Sequence, residues 1–255
     1  MAGTFYPSDA QDLLAIVDSH LSHARIVDGI KAPKAIIAPH AGFIYSGPVA
    51  GSAYAALVPW CKAISRVLLV GPSHRVPFKG LATSTATGFA TPFGTVPLDR
   101  SLLEEWIVSG WIRELDAAHA GEHSLEVQLP FLQRLVPQAM IAPILTGDGD
   151  ARAVEALFDH AFGGEETLVV VSSDLSHYLP YEIAKRQDEA TARRLERIEL
   201  NGTGYDDACG ATAINGLLAV AARRGFACQR LDLRNSGDTA GRRDQVVGYG
   251  AFALG

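Results

Sequence analysis

Three apolar runs in this chain stop abruptly at a turn that carries a histidine. They are Lys34-Ala-Ile-Ile-Ala-Pro-His40, Arg66-Val-Leu-Leu-Val-Gly-Pro-Ser-His74 and Thr167-Leu-Val-Val-Val-Ser-Ser-Asp174-Leu-Ser-His177. Neutral imidazoles joined by a carboxylate are the ligands of non-haem Fe(II), Zn and related ions, so the chemistry these residues could do is that of a mononuclear metal site. One histidine at a strand end is ordinarily a hydrogen-bonded structural residue. Three of them, accompanied by Asp174, Asp238 and the Glu122-His123 pair, call for a shared explanation. Glu122, His123 and Glu126 surround one helix start, where backbone N–H groups favour anions; the competing reading is a capping arrangement in which Glu122 and Ser124 only terminate the helix. Asp238, in Ser-Gly-Asp-Thr, can equally be a turn residue bonding its own backbone. Cys209 reads as a buried thiol or as a nucleophile. No G-x-S-x-G elbow is present to support a serine nucleophile.

The elements that must position these groups follow from the same runs. Short, β-branched apolar stretches covered on both sides are parallel strands, and four are expected: Ala35 to Pro39, Arg66 to Val70, Met140 to Leu145 and Leu168 to Ser172. Helices are expected between them: one capped by Ser8 and running to about His23, a small-residue helix from Val49 to Leu57, one capped by Asp99 over Arg100 to Ser109, and an amphipathic helix after Ser124. Further helices are expected over Asp150 to Phe162, Tyr181 to Leu200 and Asp207 to Arg224, with a turn at Asp28-Gly29. Lys79 to Val96 reads as short strands or a hairpin over the site, and the chain closes with two strand-like pieces around the Asn235 to Gly241 turn. This alternation predicts a single α/β domain over residues 1–255, with a mostly parallel central sheet flanked by helices. In such sheets ligands bind beyond the carboxyl ends of the strands, which is where His40, His74, Asp174 and His177 fall.

Composition narrows the partners. The chain has 255 residues, 48% hydrophobic, and a net charge of −6 from 22 basic and 28 acidic residues. With no basic run, attraction to nucleic-acid phosphates is not expected, and the partner is a small-molecule substrate or, alternatively, a protein. Three widely spaced cysteines without a CxxC pair fit neither a disulfide framework nor a zinc knuckle, and point to a cytoplasmic setting. No window approaches the ~18 apolar residues of a membrane span.

Several motifs carry a resemblance. Ala2-Gly-Thr-Phe-Tyr-Pro7, Ala38-Pro-His-Ala-Gly42, Gly71-Pro-Ser-His74, Glu122-His-Ser-Leu-Glu126, Ser172-Ser-Asp-Leu-Ser-His177 and Val247-Gly-Tyr-Gly250 occur in the order found in the Memo family, and the chain resembles that family over nearly its whole length. Bacterial and archaeal members are known as AmmeMemoRadiSam system protein B. The resemblance implies a fold similar to class III extradiol dioxygenases, which hold Fe(II) with two histidines and a carboxylate. In that comparison His40 and His74 match the metal-ligand histidines and His177 the acid/base histidine, with Asp174 beside it and Glu122 and His123 as further catalytic candidates. Eukaryotic members carry a cysteine in the loop before the last strand; here that loop reads Ser236-Gly-Asp238-Thr239, and Asp238 is the expected third ligand. The implied cofactor is Fe(II), with Zn or Cu as alternatives. The implied activity is that of a non-haem iron oxygenase, the alternatives being a metal- or protein-binding module without catalysis and a metal-dependent hydrolase with Glu122 or His177 as base.

Overall fold

A computed structural model of the protein describes residues 1–255 except 26, 28, 30, 150 and 165. Asp28 of the expected turn and Asp150 at an expected helix start therefore lie outside the described residues. The strands are β1 (Ala35–Ala38), β2 (Arg66–Pro72), β3 (Leu81–Thr83), β4 (Gly88–Thr91), β5 (Gly94–Pro97), β6 (Arg113–Glu114), β7 (Met140–Thr146), β8 (Thr167–Ser172), β9 (His177–Leu179), β10 (Cys228–Asn235) and β11 (Val246–Leu254). The helices are α1 (Ala10–Ser22), α2 (Phe43–Ala55), α3 (Arg100–Val108), α4 (Asp116–His119), α5 (Leu129–Leu135), α6 (Ala151–Ala161), α7 (Tyr181–Glu196) and α8 (Ala211–Arg224).

One large sheet runs in the order β10-β11-β1-β8-β2-β7-β3-β6, with β9 on β11. Its centre, β1-β8-β2-β7, is parallel. These strands are the unbroken apolar runs of the sequence, and Ile36, Ile37, Val67 to Val70 and Val169 to Val171 are buried, as a parallel sheet covered on both faces requires. The flanks are antiparallel: β10 and β11 continue the sheet beyond β1, and β3 runs against β7. The short turn joining β10 to β11 leaves no room for a crossover helix, so antiparallel pairing is the outcome available there. Helices and sheet share one contiguous apolar core. No helix among the described residues is long and apolar enough to cross a membrane, and Cys61, Cys209 and Cys228 are all free.

Local details depart from expectation for physical reasons. Asp9, not Ser8, caps α1, accepting from the N–H groups of Gln11 and Asp12 at 2.8 and 3.0 Å. α2 begins at Phe43 rather than Val49 and contains Pro48; burial of Phe43, Val49, Ala50, Ala53 and Tyr54 outweighs the ~3 kcal/mol that an interior proline costs. The β4–β5 hairpin does not lie over the histidines. It sits at the opposite end of the sheet, where Leu98 bridges Ile141 at the start of β7 and Asp99 pairs with Arg66 at the start of β2. Asp99 does cap α3 as expected, accepting from Leu102 N–H at 3.1 Å.

Candidate metal centre

Because β8 lies between β1 and β2, the three strand ends are immediate neighbours at the carboxyl edge of the sheet. His40 leaves β1 through Pro39, His74 leaves β2 through Ser73, and Ser172 ends β8 between them. A third histidine, His123, reaches the same place from the loop ahead of α5. That loop lies close on the end of β2 because position 71 is glycine: a Cβ there would stand 2.9 Å from Leu125 Cδ2 and 3.2 Å from Ser124 Oγ. The three rings form a triangle with centroids 5.2 Å apart for His40 and His74, 5.4 Å for His40 and His123, and 4.7 Å for His74 and His123. One nitrogen of each falls within 4.8 Å of the others, a grouping that could hold one metal ion.

The hydrogen bonds decide which nitrogens are free. Ser172 Oγ lies 2.6 Å from the carbonyl of Ser124, 2.8 Å from Gln128 Nε2 and 2.8 Å from His40 Nδ1. A hydroxyl has one hydrogen and a carbonyl only accepts, so that hydrogen points to Ser124. Gln128 and His40 must both donate, which puts the proton of His40 on Nδ1 and leaves the lone pair on Nε2. Gln128 is itself fixed, accepting from Tyr54 Oη at 2.9 Å and donating to the Pro39 carbonyl at 3.0 Å. The backbone N–H of His40 donates to Asp174 Oδ1 at 2.8 Å. Burial first, then the neighbouring His74 and His123, holds His40 well below the ordinary histidine range, so this ring is neutral and ready to ligate.

Glu122 does the same for His74. Its Oε2 accepts the backbone N–H of His74 at 2.6 Å; its Oε1 accepts His74 Nδ1 at 3.0 Å and the backbone N–H groups of His123 and Ser124 at 2.8 and 2.9 Å. A carboxylate only accepts, so His74 is protonated on Nδ1 and its Nε2 is the free donor atom. His123 Nδ1 stands 3.1 Å from the same Oε1, outside hydrogen-bonding geometry. Burial alone would raise the Glu122 carboxyl, but the His123 and His74 side chains and the N–H groups of His74 and Ser124 outweigh it, and the group titrates well below the usual carboxylate range. This is how a metal site orients its imidazoles from behind. Glu122 is thereby a positioning residue, since its oxygens are committed, and not a free base.

The expected third ligand is elsewhere. Asp238 Oδ2 accepts Asn235 N–H at 3.0 Å in a reciprocal cap of a 3₁₀ turn, and Oδ1 takes the Tyr181 hydroxyl at 2.5 Å. It lines a cleft of about 1150 Å³ between α7 and β10, in which Arg230 pairs with Glu189 and Glu196 and Arg234 with Asp232. Both Asp238 oxygens are used, and the group that could hold a metal among the described residues is His40, His74 and His123. Asp174 and His177 do flank the triad. Asp174 is buried and its carboxyl raised, by burial above all, with the charges of His177 and His123 opposing. His177 is half-buried on β9, and its charge also reaches His40. The next residue, Tyr178, is held at φ 57°, in the left-handed region that costs a non-glycine residue ~1–2 kcal/mol.

Sequence reasoning passed over three contributors, Ser172, Gln128 and Phe5. Ser172 and Gln128 set the His40 tautomer. Phe5 stacks on His123 at 4.6 Å between centroids, its carbonyl accepting from Phe43 N–H at 2.7 Å; the Ala-Gly-Thr-Phe-Tyr-Pro motif was the available signal. Cys209 lies with Sγ 3.4 Å from His40 Nε2 and 3.3 Å from Asp174 N. Burial, then Asp174, pushes its thiol up to about 12, so it is not an activated nucleophile.

The donor set fits a metal: two imidazoles present lone pairs set by their outer hydrogen bonds, and a third completes the group. Comparison with known proteins agrees with the motif order. The family described as Memo-like protein matches residues 1–253. A MEMO1 family protein of Aquifex aeolicus is 34% identical over 98% of this chain and 95% of its own length. Another, of Pyrobaculum aerophilum, is 32% identical over 99% of this chain and 96% of its own, and one of Thermoplasma volcanium is 31% identical over 99% and 96%. With the match running through every strand that builds the histidine cluster, the chain belongs to the Memo family.

Proposed function

We propose that the chain binds one divalent metal through His40, His74 and His123 and acts as a non-haem Fe(II)-dependent oxygenase on a small substrate. The observation that carries the metal half is the pair of tautomers fixed by Ser172 and Glu122, which leave the Nε2 atoms of His40 and His74 without protons of their own, the Cys209 thiol standing 3.4 Å from His40 Nε2. A bound Fe(II) would supply Lewis-acid binding of substrate oxygens and O₂ chemistry. The chain's own groups do the rest. His177 moves the substrate proton, being half-buried beside the triad on a strained strand end. Asp174 fixes the His40 turn through the backbone. Phe5 covers one face of the His123 ring. The lack of a basic run keeps nucleic acid out of the reading, and the free cysteines support a cytoplasmic setting.

One observation favours a second reading. Three imidazoles without a carboxylate form a set that zinc also takes, which supports a metal-dependent hydrolase with His177 as base. Anaerobic purification followed by elemental analysis and O₂-uptake measurement separates the readings. One equivalent of iron with substrate-dependent O₂ uptake supports the oxygenase; zinc with hydrolysis of esters or phosphoesters supports the hydrolase. Absence of any retained metal leaves a binding module and ends the proposal. His177→Gln should retain the metal and lose turnover; loss of metal instead would make His177 a ligand.

A further inference from the structure

Beside the triad a cleft of about 330 Å³ is lined by His74, Arg75, Phe78, Asp148, Tyr205 and Cys209, among others. Its inner end reaches the metal-binding nitrogens, since His74 is a triad member and Cys209 Sγ is 3.4 Å from His40 Nε2. The volume lies at the small end of ligand pockets, room for about one ring. Arg75 follows His74 directly in the turn that leaves β2. It makes no hydrogen bond or ion pair among the described residues, in a protein whose Arg66, Arg100, Arg134, Arg223 and Arg230 all have carboxylate partners. A guanidinium left unpaired beside a metal site offers a planar fork of donors that matches a carboxylate or a phosphate. A second positive charge backs the same wall, because Arg113 lies 5.6 Å over the ring of Phe78. The opposing charge in the lining, Asp148, is exposed, with its backbone tied to Phe78 and Gly80.

We propose that this cleft is the substrate site and that it selects a small anion, one acidic group pairing with Arg75 while the rest of the molecule faces the histidines. The inference rests on the metal-site reading for the location of the chemistry, though the anion preference can be measured with or without metal. Benzoate, its neutral isostere benzamide, and phenyl phosphate serve as probes in chemical-shift titrations of the wild type, Arg75→Gln, Arg75→Lys and Asp148→Asn, each as Fe(II)-loaded protein under anaerobic conditions and as metal-free protein. The wild type should bind benzoate or phenyl phosphate about 5- to 20-fold more tightly than benzamide. Whichever acid binds more tightly names the acidic group. Arg75→Gln should abolish the preference with metal content unchanged, Arg75→Lys should keep part of it, and Asp148→Asn should keep or increase it. Equal binding of acid and amide by the wild type, no binding of any probe, or an undiminished preference in Arg75→Gln overturns the proposal and leaves the metal reading intact. Loss of metal by the wild type with the preference preserved in metal-free protein overturns the metal reading alone.

Discussion

Ser172 Oγ has one hydrogen, and where it points fixes the tautomer of His40. Removing the hydroxyl in Ser172→Ala takes away the acceptor for His40 Nδ1–H, and metal affinity should fall ~10- to 100-fold, as it does when such supporting partners are lost elsewhere; a competition titration with a chromogenic chelator measures this. His123→Ala should abolish stoichiometric metal binding, whereas Asp238→Ala should leave it unchanged; elemental analysis showing the reverse would restore Asp238 as third ligand. Asp188, on α7, gives a pH prediction. Its Oδ1 accepts Ser176 N–H at 3.1 Å, its Oδ2 is buried without a partner, and burial raises its carboxyl to about 6. An unfolded aspartate ionises near pH ~4, so between about 4 and 6 the folded protein holds a proton that the unfolded chain has released. Stability from this group therefore declines as pH rises through that window. Asp188→Asn should stabilise the protein at pH 7, on the order of 2 kcal/mol, and have little effect at pH 4; urea denaturation at the two pH values checks both.

At the scale of elements, the Cys209 loop is held against β8 by an absence of side chain. A Cβ at Gly210 would stand 2.6 Å from Ser173 Cβ and 3.0 Å from the Ser172 carbonyl, so Gly210→Ala should cost ~1–3 kcal/mol and disturb the site with it. Paired measurements of thermal midpoint and metal affinity read both effects, and a variant as stable as wild type would show that the loop yields freely. The same elements show what a sequence discloses. The parallel core was legible because strands covered on both faces must be continuously apolar, and the positions of His40 and His74 followed from where those runs stop. The antiparallel flanks were not, since β11 is as apolar as a central strand and nothing local declares its direction. His123 was legible as a polar residue at a helix start but not as a member of the histidine cluster, because its place depends on a loop folding back onto β2. Asp238 was misplaced for a related reason: a turn aspartate and a ligand look alike until its oxygens have partners.

For the whole molecule, a bound metal should act as a clamp across the sheet, because its ligands come from three separated parts of the chain. Adding Fe(II) or Zn(II) at about 100 times its dissociation constant should raise the melting temperature by roughly 5–10 °C in the wild type. It should do nothing in His74→Ala. A wild-type midpoint insensitive to metal would mean that the unfolded chain binds as well as the folded one. The placement of β8 between β1 and β2 also sets an order of events during synthesis. His40, His74 and His123 are all made before Ser172, yet the proton on His40 has no assigned nitrogen until the strand bearing Ser172 slides between its two older neighbours. A nascent chain paused short of β8 would thus carry all three histidines without the hydroxyl that fixes the His40 tautomer, with α7, α8 and β9 to β11 still to be made.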